Sequence, residues 1–283
     1  MNANSLLAHF AGNTVRFSIE GDELRKALSF HFKHCIRKDE ENPVLADYEV
    51  KALENGKFSA SQNGELFFSA LNFRAALWQL TQDAITQLNG AASKELVFHA
   101  AALSYQEDAA ILCGKSGSGK SSLATWLVAE GLGYLTDEVI SRPLGEQIIR
   151  GLSRSLVLKA GSAFIWQHWL ADADPQSLLR FSDNSVWIEP TALNPEAIKN
   201  SATPRLLIFP RYAPDVEAGL RTKRLSVADA LFHLLQNLVN ARNFDDHGFA
   251  ETSRLAQQAV AHEIIFSDIE KASAWIKQKL ITG

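Results

Sequence analysis

The segment AAILCGKSGSGKS, residues 109–121, decides the fold expected for this chain of 283 residues. Its first five residues are apolar and favour a short buried strand. The rest is the run Gly114-Lys115-Ser116-Gly117-Ser118-Gly119-Lys120-Ser121, which matches the pattern G-x-x-x-x-G-K-[ST]. Leu123, Trp126 and Leu127 then follow at helical spacing. A strand, a glycine-rich loop and a helix in this order predict an α/β fold.

The residue types of this loop suit the binding of phosphate groups. Glycines allow a positive φ and let backbone N–H groups turn toward phosphate oxygens. Lys120 can reach the β- and γ-phosphates, the Ser121 hydroxyl can ligate Mg²⁺, and a helix starting there directs its positive end at the anion. We therefore predict a nucleoside triphosphate site formed by Gly114, Lys115, Ser116, Gly117, Ser118, Gly119, Lys120, Ser121 and Ser122. The alternative is a flexible Gly/Ser turn with an exposed lysine.

A second candidate feature is the acidic pair Asp137-Glu138, which follows the apolar residues 133–136 (GYLT). Carboxylates at the end of an apolar strand are costly unless they bind a cation or another partner. A nucleotide-dependent phosphotransferase needs one carboxylate to hold Mg²⁺ and another to accept a hydroxyl proton. Adjacent strand residues point to opposite faces, so the two side chains can share a role only if the strand ends at the pair. A solvated strand terminus is the alternative interpretation.

The rest of the chain predicts two domains, residues 1–90 and 91–283. The first is a small α+β region with an Asn63-Gly64 hairpin turn and an amphipathic helix over residues 72–88, and it carries no recognisable chemical motif. The second continues the α/β pattern. Its predicted elements are strands at residues 96–103, 134–140 and 206–209, the last closed by Pro210, a helix capped by Ser226 with Asp229, and a final helix opened by Ser267 with Glu270.

Composition narrows the range of functions. Hydrophobic residues make up 46% and charged residues 21%, as in globular proteins, and the net charge of −4 without a basic stripe gives no indication of nucleic acid binding. No apolar stretch reaches the roughly 20 residues that span a bilayer. We see no signal peptide, and Cys35 and Cys113 do not suggest a disulfide framework, so we expect a cytoplasmic protein.

Several segments together resemble the catalytic domain of the HPr kinase/phosphorylase family, and more closely the related kinases of that family. The resemblance covers about residues 95–280 and does not extend convincingly to residues 1–90. The segments that carry it are Val97-Phe98-His99-Ala100, residues 111–122 (ILCGKSGSGKSS), residues 133–138 (GYLTDE), residues 154–159 (RSLVLK) and Phe209-Pro210-Arg211-Tyr212.

This resemblance implies a phosphoenolpyruvate-carboxykinase-like P-loop core, ATP and Mg²⁺ as cofactors, and a protein serine as acceptor. It implies Asp137 as general base, with Ser121, Glu138 and Asp137 as the candidate metal ligands and His99 orienting Asp137. It also suggests a homo-oligomer. Three departures argue against HPr itself as acceptor and against the reverse phosphorylase reaction. They are Glu138 in place of a second aspartate, Ala100 in place of a glycine, and the lack of a recognisable C-terminal phosphorolysis signature.

The leading hypothesis is therefore an ATP-dependent kinase acting on a hydroxyl of a protein or peptide. Arg211 follows an apolar strand, where a cation could stabilise transition-state charge or form a surface ion pair. Arg154 and Lys159 could clamp a phosphate or lie as charges at a strand edge, and His99 alone could be a buried strand histidine. Two other functions stay open: a small-molecule kinase acting on a sugar or amino-acid alcohol, and a nucleotide-sensing ATPase that is not a kinase.

Overall fold

The computed structural model describes residues 5–37, 43–90 and 92–282. Over these residues the chain is a mixed α/β protein that separates into two units, Met1–Ala92 and Ser93–Gly283. Among the described residues, no helix combines the length and the apolar character that crossing a membrane would require. Each unit has its own sheet and its own helices, so each is described by itself.

The first unit is a six-stranded sheet with two helices packed against it. Its elements are β1 (Ser5–Phe10), β2 (Asn13–Ile19), α1 (Asp22–His31), β3 (Ile36–Arg37), β4 (Val44–Ala52), β5 (Lys57–Gln62), β6 (Glu65–Asn72) and α2 (Phe73–Gly90). The strand order is β3-β1-β2-β4-β5-β6, and every neighbouring pair is antiparallel except β2 with β4. Large side chains of both helices and of the sheet are fully buried between them, among them Phe17, Leu28, Tyr48 and Leu77.

The predicted hairpin and helix of the first unit are confirmed. Asn63 and Gly64 join β5 to β6, and both have the positive φ that a tight hairpin turn requires (52° and 85°). The helix predicted over residues 72–88 is α2, in which Asn89 and Gly90 are the last two residues. The burial pattern agrees with the amphipathic spacing, because Leu77, Leu80 and Ile85 are buried on one side of it.

The second unit contains the glycine-rich loop. Its first elements are β7 (Glu95–Tyr105), β8 (Asp108–Cys113), α3 (Lys120–Ala129), β9 (Gly133–Thr136), β10 (Val139–Pro143), β11 (Ile149–Gly151), β12 (Leu156–Leu158) and α4 (Ala163–Trp169). They are followed by β13 (Leu178–Arg180), β14 (Val186–Ile188), α5 (Pro190–Leu193), β15 (Ser201–Tyr212), β16 (Leu220–Arg224), α6 (Val227–Leu235), α7 (Phe249–Gln258), β17 (Val260–Phe266) and α8 (Ile269–Thr282).

The main sheet of this unit has the order β11-β10-β7-β8-β15-β17-β16, with β9 also paired to β7. Strands β8, β15 and β17 are parallel, so their carboxyl ends meet at the same edge of the sheet. The strand β7 is antiparallel to both β8 and β10. A smaller antiparallel sheet, β12-β14-β13, lies beside α3. This arrangement brings the loop after β8 close to the ends of β15 and β17.

The two faces of the main sheet are covered by different helices. One buried cluster contains Leu123 and Leu127 of α3 and Ile276 of α8. The other contains Leu234 of α6 and Leu255 of α7. Because both faces are buried, the central parallel strands β8, β15 and β17 are apolar along most of their length. Burial of each such leucine contributes about 1.5–3 kcal/mol, which holds the loop and its helix on a rigid support.

Two strand predictions in this unit need correction. The strand predicted over residues 134–140 is broken into β9 and β10 by a bend at Asp137 and Glu138. The strand predicted to close at Pro210 continues to Tyr212. Proline is tolerated there because the pairing of β15 with β8 ends where Ile208 lies opposite Leu112, so Pro210 lies beyond that ladder.

The two predicted helix starts differ in outcome. The capping box is confirmed, since the Ser226 hydroxyl accepts the Asp229 N–H at 3.1 Å at the start of α6. The start predicted at Ser267 is displaced by one residue. The Asp268 carboxylate accepts the Lys271 N–H at 3.0 Å, while the Ser267 hydroxyl donates to the Val216 carbonyl at 3.0 Å. Aspartate satisfies the same free donor of the first turn as serine would.

Candidate functional site

The glycine-rich loop joins the carboxyl end of β8 to the amino end of α3. Gly117 and Gly119 have φ values of 84° and 94°, which side chains with a Cβ rarely adopt. At Gly119 the space is closed as well, because a Cβ there would lie 2.6 Å from the Phe266 ring at the end of β17. The Ser118 carbonyl accepts the Tyr212 N–H at 3.1 Å, which fastens the loop to the end of β15. Gly117 is therefore required by its backbone angle, and Gly119 by both its backbone angle and close packing.

The amides of this loop are open. Within the described part of the chain, the N–H groups of Gly117, Gly119, Lys120 and Ser121 donate to no protein acceptor. The first intrahelical bond of α3 runs from the Leu123 N–H to the Gly119 carbonyl at 2.9 Å. The free donors lie at a helix amino end, where the peptide dipoles add a partial positive charge. These four donors, three of them consecutive from Gly119 to Ser121, together with that charge suit a phosphate group.

Lys120 is buried at the first position of α3, with 6% of its surface exposed. Its ammonium group donates to the carbonyl oxygen of Gly114 and, at 3.4 Å, to that of Lys115. Burial lowers the pKa of Lys120, while the carboxylates of Glu138 and Asp137 oppose that shift. The neighbouring Ser121 is partly exposed, and among the described residues its hydroxyl has no hydrogen-bond partner.

A second segment lies along the loop. The hydroxyls of Ser122 and Ser162 are 2.8 Å apart, and Lys159 Nζ is 3.4 Å from Ser116 Oγ. Sequence analysis left the role of Lys159 open and missed Ser162 entirely. The segment RSLVLK gave a signal for Lys159, whereas nothing in the sequence around Ser162 indicated that it would contact the loop.

The bend between β9 and β10 is built on Thr136. Its hydroxyl accepts the N–H groups of Glu138 at 3.0 Å and Val139 at 3.2 Å, and donates to the Leu152 carbonyl at 2.9 Å. A threonine hydroxyl that takes over backbone donors interrupts the strand ladder at that point. The interruption removes the alternation of a regular strand, so the carboxylates of Asp137 and Glu138 can both contact the guanidinium group of Arg154.

Asp137 is enclosed by the protein, and its side chain has no exposed surface. Its carboxylate accepts from the Tyr134 hydroxyl at 3.2 Å and from the Val157 N–H at 3.3 Å, and lies 3.3 Å from Arg154 Nη2. Burial raises the pKa of Asp137, and the Arg154 charge opposes that shift. Arg154 is itself buried, with 6% of its side chain exposed. The structure thus places Arg154 in an ion-pair network, and neither reading of it from sequence anticipated this partner.

Glu138 lies beside Asp137 but opens to the surface, with 25% of its side chain exposed. One carboxylate oxygen is 2.5 Å from Arg154 Nη2, and the other is 3.5 Å from His99 Nδ1. Although burial alone would raise the pKa of Glu138, Arg154 and His99 hold it below its usual value. His99 is on β7, directly opposite Val139, and 41% of its side chain is exposed. Burial of the rest of the ring lowers the pKa of His99.

In the part of the chain that the structure describes, Arg211 and Cys113 make no hydrogen bond or ion pair with the side chains of the acidic bend. Arg211 is exposed near the end of β15 and, within the described residues, makes no ion pair. Alternation along β15 puts it on the face of Phe209, which packs against His233 of α6, whereas Tyr212 packs on Phe266 below the loop. Cys113 and Cys35 are both buried free thiols, and burial raises the pKa of Cys113 to about 12.

The structure therefore brings most of the sequence-predicted residues together. Lys120, His99, Asp137 and Glu138 interact electrostatically at one end of the sheet, and Arg154 and Tyr134 join them. No group of three or more His, Cys, Asp or Glu side chains with metal-binding geometry occurs among the residues described. The cluster can bind an anion at the loop, hold a cation through oxygen ligands and accept a proton at a carboxylate.

Comparison with known proteins shows similarity at the level of structure and not of sequence. No protein-family profile matches the chain, and no curated protein sequence matches it. Among solved structures, the chain is similar to the structure of the Hpr(Ser) kinase/phosphatase from Coxiella burnetii, with 14% sequence identity and a TM-score of 0.32. That similarity covers 66% of this chain and 93% of the other.

Proposed function

We propose that the second unit binds Mg-ATP at the glycine-rich loop and transfers the γ-phosphate to a hydroxyl group, that of a serine in a protein or peptide. The observation that carries this proposal is the proximity of two features. Open amides and Lys120 lie at the start of α3. The acidic bend is tied to the strand end before the loop, because the Glu138 carbonyl accepts the Ala100 N–H at 3.1 Å and Ala100 lies opposite Cys113. We also propose that the strand, loop and helix form a phosphoenolpyruvate-carboxykinase-like P-loop core.

Phosphate binding follows from the donors of the loop. The amides of Gly117, Gly119, Lys120 and Ser121 would donate to phosphate oxygens, and the helix dipole favours the negative charge. Among the residues that the structure describes, the Lys120 ammonium group donates hydrogen bonds only to carbonyl oxygens of its own loop. A triphosphate gives it a charged acceptor, and charge-assisted hydrogen bonds are about twice as strong as neutral ones.

The donor set also fits a magnesium ion. Mg²⁺ prefers oxygen ligands and is usually held by one or two carboxylates together with substrate phosphates. The Ser121 hydroxyl and the partly exposed Glu138 carboxylate supply such oxygens without a three-carboxylate cage. When bound, the ion would neutralise charge that develops on the phosphate oxygens.

The transfer step needs a proton acceptor beside the phosphate. The acceptor hydroxyl oxygen forms a bond to the γ-phosphorus, the bond from that phosphorus to the β–γ bridging oxygen breaks, and ADP leaves. The hydroxyl proton goes to a carboxylate of the acidic bend, with His99 in contact. Arg211 remains a proposed stabiliser of transition-state charge, and no described contact ties it to the cluster.

The test is transfer of phosphate from γ-labelled ATP with Mg²⁺ into a cell lysate, then into its separated polypeptide and metabolite fractions. We expect label in the polypeptide fraction, and none with Lys120→Ala. Label in the metabolite fraction alone would indicate a small-molecule kinase. Release of free phosphate only, or no turnover at all, would contradict the proposal and favour a nucleotide-sensing ATPase.

A further inference from the structure

We propose that Glu138, and not Asp137, is the carboxylate that touches the reacting groups, and that Asp137 and Arg154 are positioning residues which hold Glu138 in place. This inference rests on the proposed phosphotransfer and assigns its proton acceptor. With Glu138 in that role, Mg²⁺ would be held by the Ser121 hydroxyl and the phosphate oxygens, and not by Glu138. It departs from the sequence-based prediction, in which Asp137 is the general base. The contacts of the two carboxylates differ enough to separate their roles.

The side chains of Asp137 and Glu138 differ first in solvent exposure. The Asp137 side chain has no exposed surface, whereas a quarter of the Glu138 side chain is exposed. A proton acceptor must come within hydrogen-bond reach of the substrate hydroxyl, about 2.6–3.2 Å between heavy atoms. Glu138 can meet a substrate from the surface, while Asp137 would first have to leave its pocket.

Hydrogen bonding separates them further. Both oxygens of Asp137 are engaged, one by the Tyr134 hydroxyl and Arg154, the other by the Val157 N–H. A carboxylate that accepts several protein donors is already solvated by the protein and has little reason to bind a further group. Each oxygen of Glu138 has one described partner, Arg154 or His99, so lone pairs remain for a substrate.

Arg154 links the two carboxylates. Its Nη2 atom lies between Asp137 Oδ1 at 3.3 Å and Glu138 Oε2 at 2.5 Å. The Tyr134 hydroxyl strengthens this link, since its single proton lies between Asp137 Oδ1 at 3.2 Å and the Arg154 carbonyl at 3.0 Å. Asp137 thus fixes the guanidinium group, and the guanidinium group fixes Glu138. Removal of Asp137 would loosen Glu138 without removing the proton acceptor.

His99 completes the arrangement on the exposed side. Its Nδ1 is 3.5 Å from the Glu138 oxygen that Arg154 does not bind. In the transfer step the acceptor hydroxyl gives its proton to Glu138. At the same time the acceptor oxygen bonds to the γ-phosphorus and ADP leaves. His99 and Arg154 restrict the rotamers of Glu138, so the lone pairs of Glu138 that remain available keep a fixed direction.

Chemical labelling of the wild-type protein tests the assignment independently of turnover. A water-soluble carbodiimide with an amine nucleophile is applied to the folded full-length chain, and labelled carboxyl groups are located by peptide mass spectrometry. Glu146 is the internal reference, because it is also ion-paired, 3.5 Å from Arg150, with 47% of its side chain exposed. We expect labelling of Glu138 within about tenfold of Glu146, protection of Glu138 by Mg-ATP, and labelling of Asp137 roughly a hundredfold slower, since it requires local opening.

Kinetics of three variants test the roles. Glu138→Gln is expected to lower kcat by about 10²–10⁴ at a nearly unchanged KM for ATP, and Glu138→Asp to restore part of that loss. Asp137→Asn is expected to lower the melting temperature and to reduce kcat only about tenfold, the effect of a less well-oriented partner. Slow kcat in folded Asp137→Asn together with normal kcat in Glu138→Gln would overturn the assignment, as would labelling of Asp137 ahead of Glu138.

Failure of the proposed function looks different. In that case the wild-type protein would transfer no phosphate and Mg-ATP would not protect Glu138 from the carbodiimide. The order of labelling between Glu138 and Asp137 would still decide which carboxylate can meet a ligand, and labelling of Asp137 first would overturn the assignment on its own.

Discussion

The glycine-rich loop and the acidic bend meet at one end of the same sheet, and they differ in how their polar groups are satisfied. Among the described residues, the loop amides of Gly117, Gly119, Lys120 and Ser121 lack a protein acceptor, and the Lys120 ammonium group bonds only to carbonyls of its own loop. In the bend, Asp137 and Arg154 are buried and bonded to each other. The loop therefore leaves capacity for an external anion, while the bend supplies a fixed internal network.

This difference separates residues that can bind a ligand from residues that hold other side chains in position. Open donors at a helix start can be satisfied by water or by a ligand, so they leave the loop with capacity for an anion. Groups whose partners are all internal contribute by position instead. The partly exposed Glu138 stands at the border of the two regions, because Arg154 holds it from below and His99 contacts it from the side.

The largest change in the free energy of unfolding is expected from breaking the ion-pair network of Asp137 and Arg154. Arg154→Ala leaves the buried Asp137 charge without its cation, and loss of one partner of a buried ion pair costs about 3–5 kcal/mol. Urea unfolding followed by tryptophan fluorescence measures this loss, because Trp78 alone of the six tryptophans lies outside the second unit. The matched control is Arg205→Ala, whose pair with Asp108 is exposed and is expected to cost about 0–1 kcal/mol. Equal losses in both variants would show that the bend is not a buried network.

The next effect concerns binding at the open loop. Lys120→Ala removes the cation expected to meet the β- and γ-phosphates, so affinity for Mg-ATP should fall about a hundredfold, or roughly 2.7 kcal/mol. Calorimetric titration measures it, with the exposed Lys223→Ala of β16 as the matched control. Unchanged affinity in Lys120→Ala would remove the loop from consideration as the nucleotide site.

A smaller loss of folding stability, compared between Gly119 and Gly131, separates the cost of backbone angle from the cost of packing. Gly119 and Gly131 both have strongly positive φ values, 94° and 99°, but only at Gly119 would a Cβ meet a neighbour, the Phe266 ring. Alanine at either position should cost about 1–2 kcal/mol of backbone strain. At Gly119 we expect about 1–3 kcal/mol more from overpacking, measured by the same urea unfolding. Identical losses at the two glycines would mean that Phe266 moves aside freely.

The smallest effect is expected at the contact between the loop helix and its neighbouring segment. Ser162→Ala removes the hydroxyl that lies 2.8 Å from the Ser122 hydroxyl, and a hydrogen bond of this kind contributes about 0.5–1.5 kcal/mol. A double-mutant cycle with Ser122→Ala isolates the pair by urea unfolding. Additive losses in the double variant would show that the two hydroxyls do not interact in solution.

The residues and backbone elements of the loop could be predicted from the sequence more completely than the contacts of the acidic bend. The loop is local, because its glycines, Lys120 and the flanking strand and helix are contiguous in sequence. The bend depends on partners distant along the chain, since Asp137 is enclosed by Arg154 and Val157, while Glu138 meets His99 of β7. Pattern and spacing identified the acidic pair, yet which of its two members is buried depends on packing, which no local pattern encodes.

The same limit applies to the strand ends. A proline normally closes a strand, and the strand before Pro210 was expected to end there. The structure extends it to Tyr212 because β8 stops earlier than β17 on the two sides of β15. Relative strand lengths across a sheet are a tertiary property, so this exception could not be predicted from the residues around Pro210.

The most direct test of the central claim is to observe the loop amides while nucleotide is added. In a deuterated, ¹⁵N-labelled sample, backbone amide resonances are followed by NMR during titration with Mg-ATP and, separately, with inorganic tripolyphosphate. We expect the largest saturable shifts at Gly117, Gly119, Lys120 and Ser121 with both ligands, and only small shifts along β16. Saturable binding that leaves those four amides unmoved, or no binding of either ligand, would contradict it.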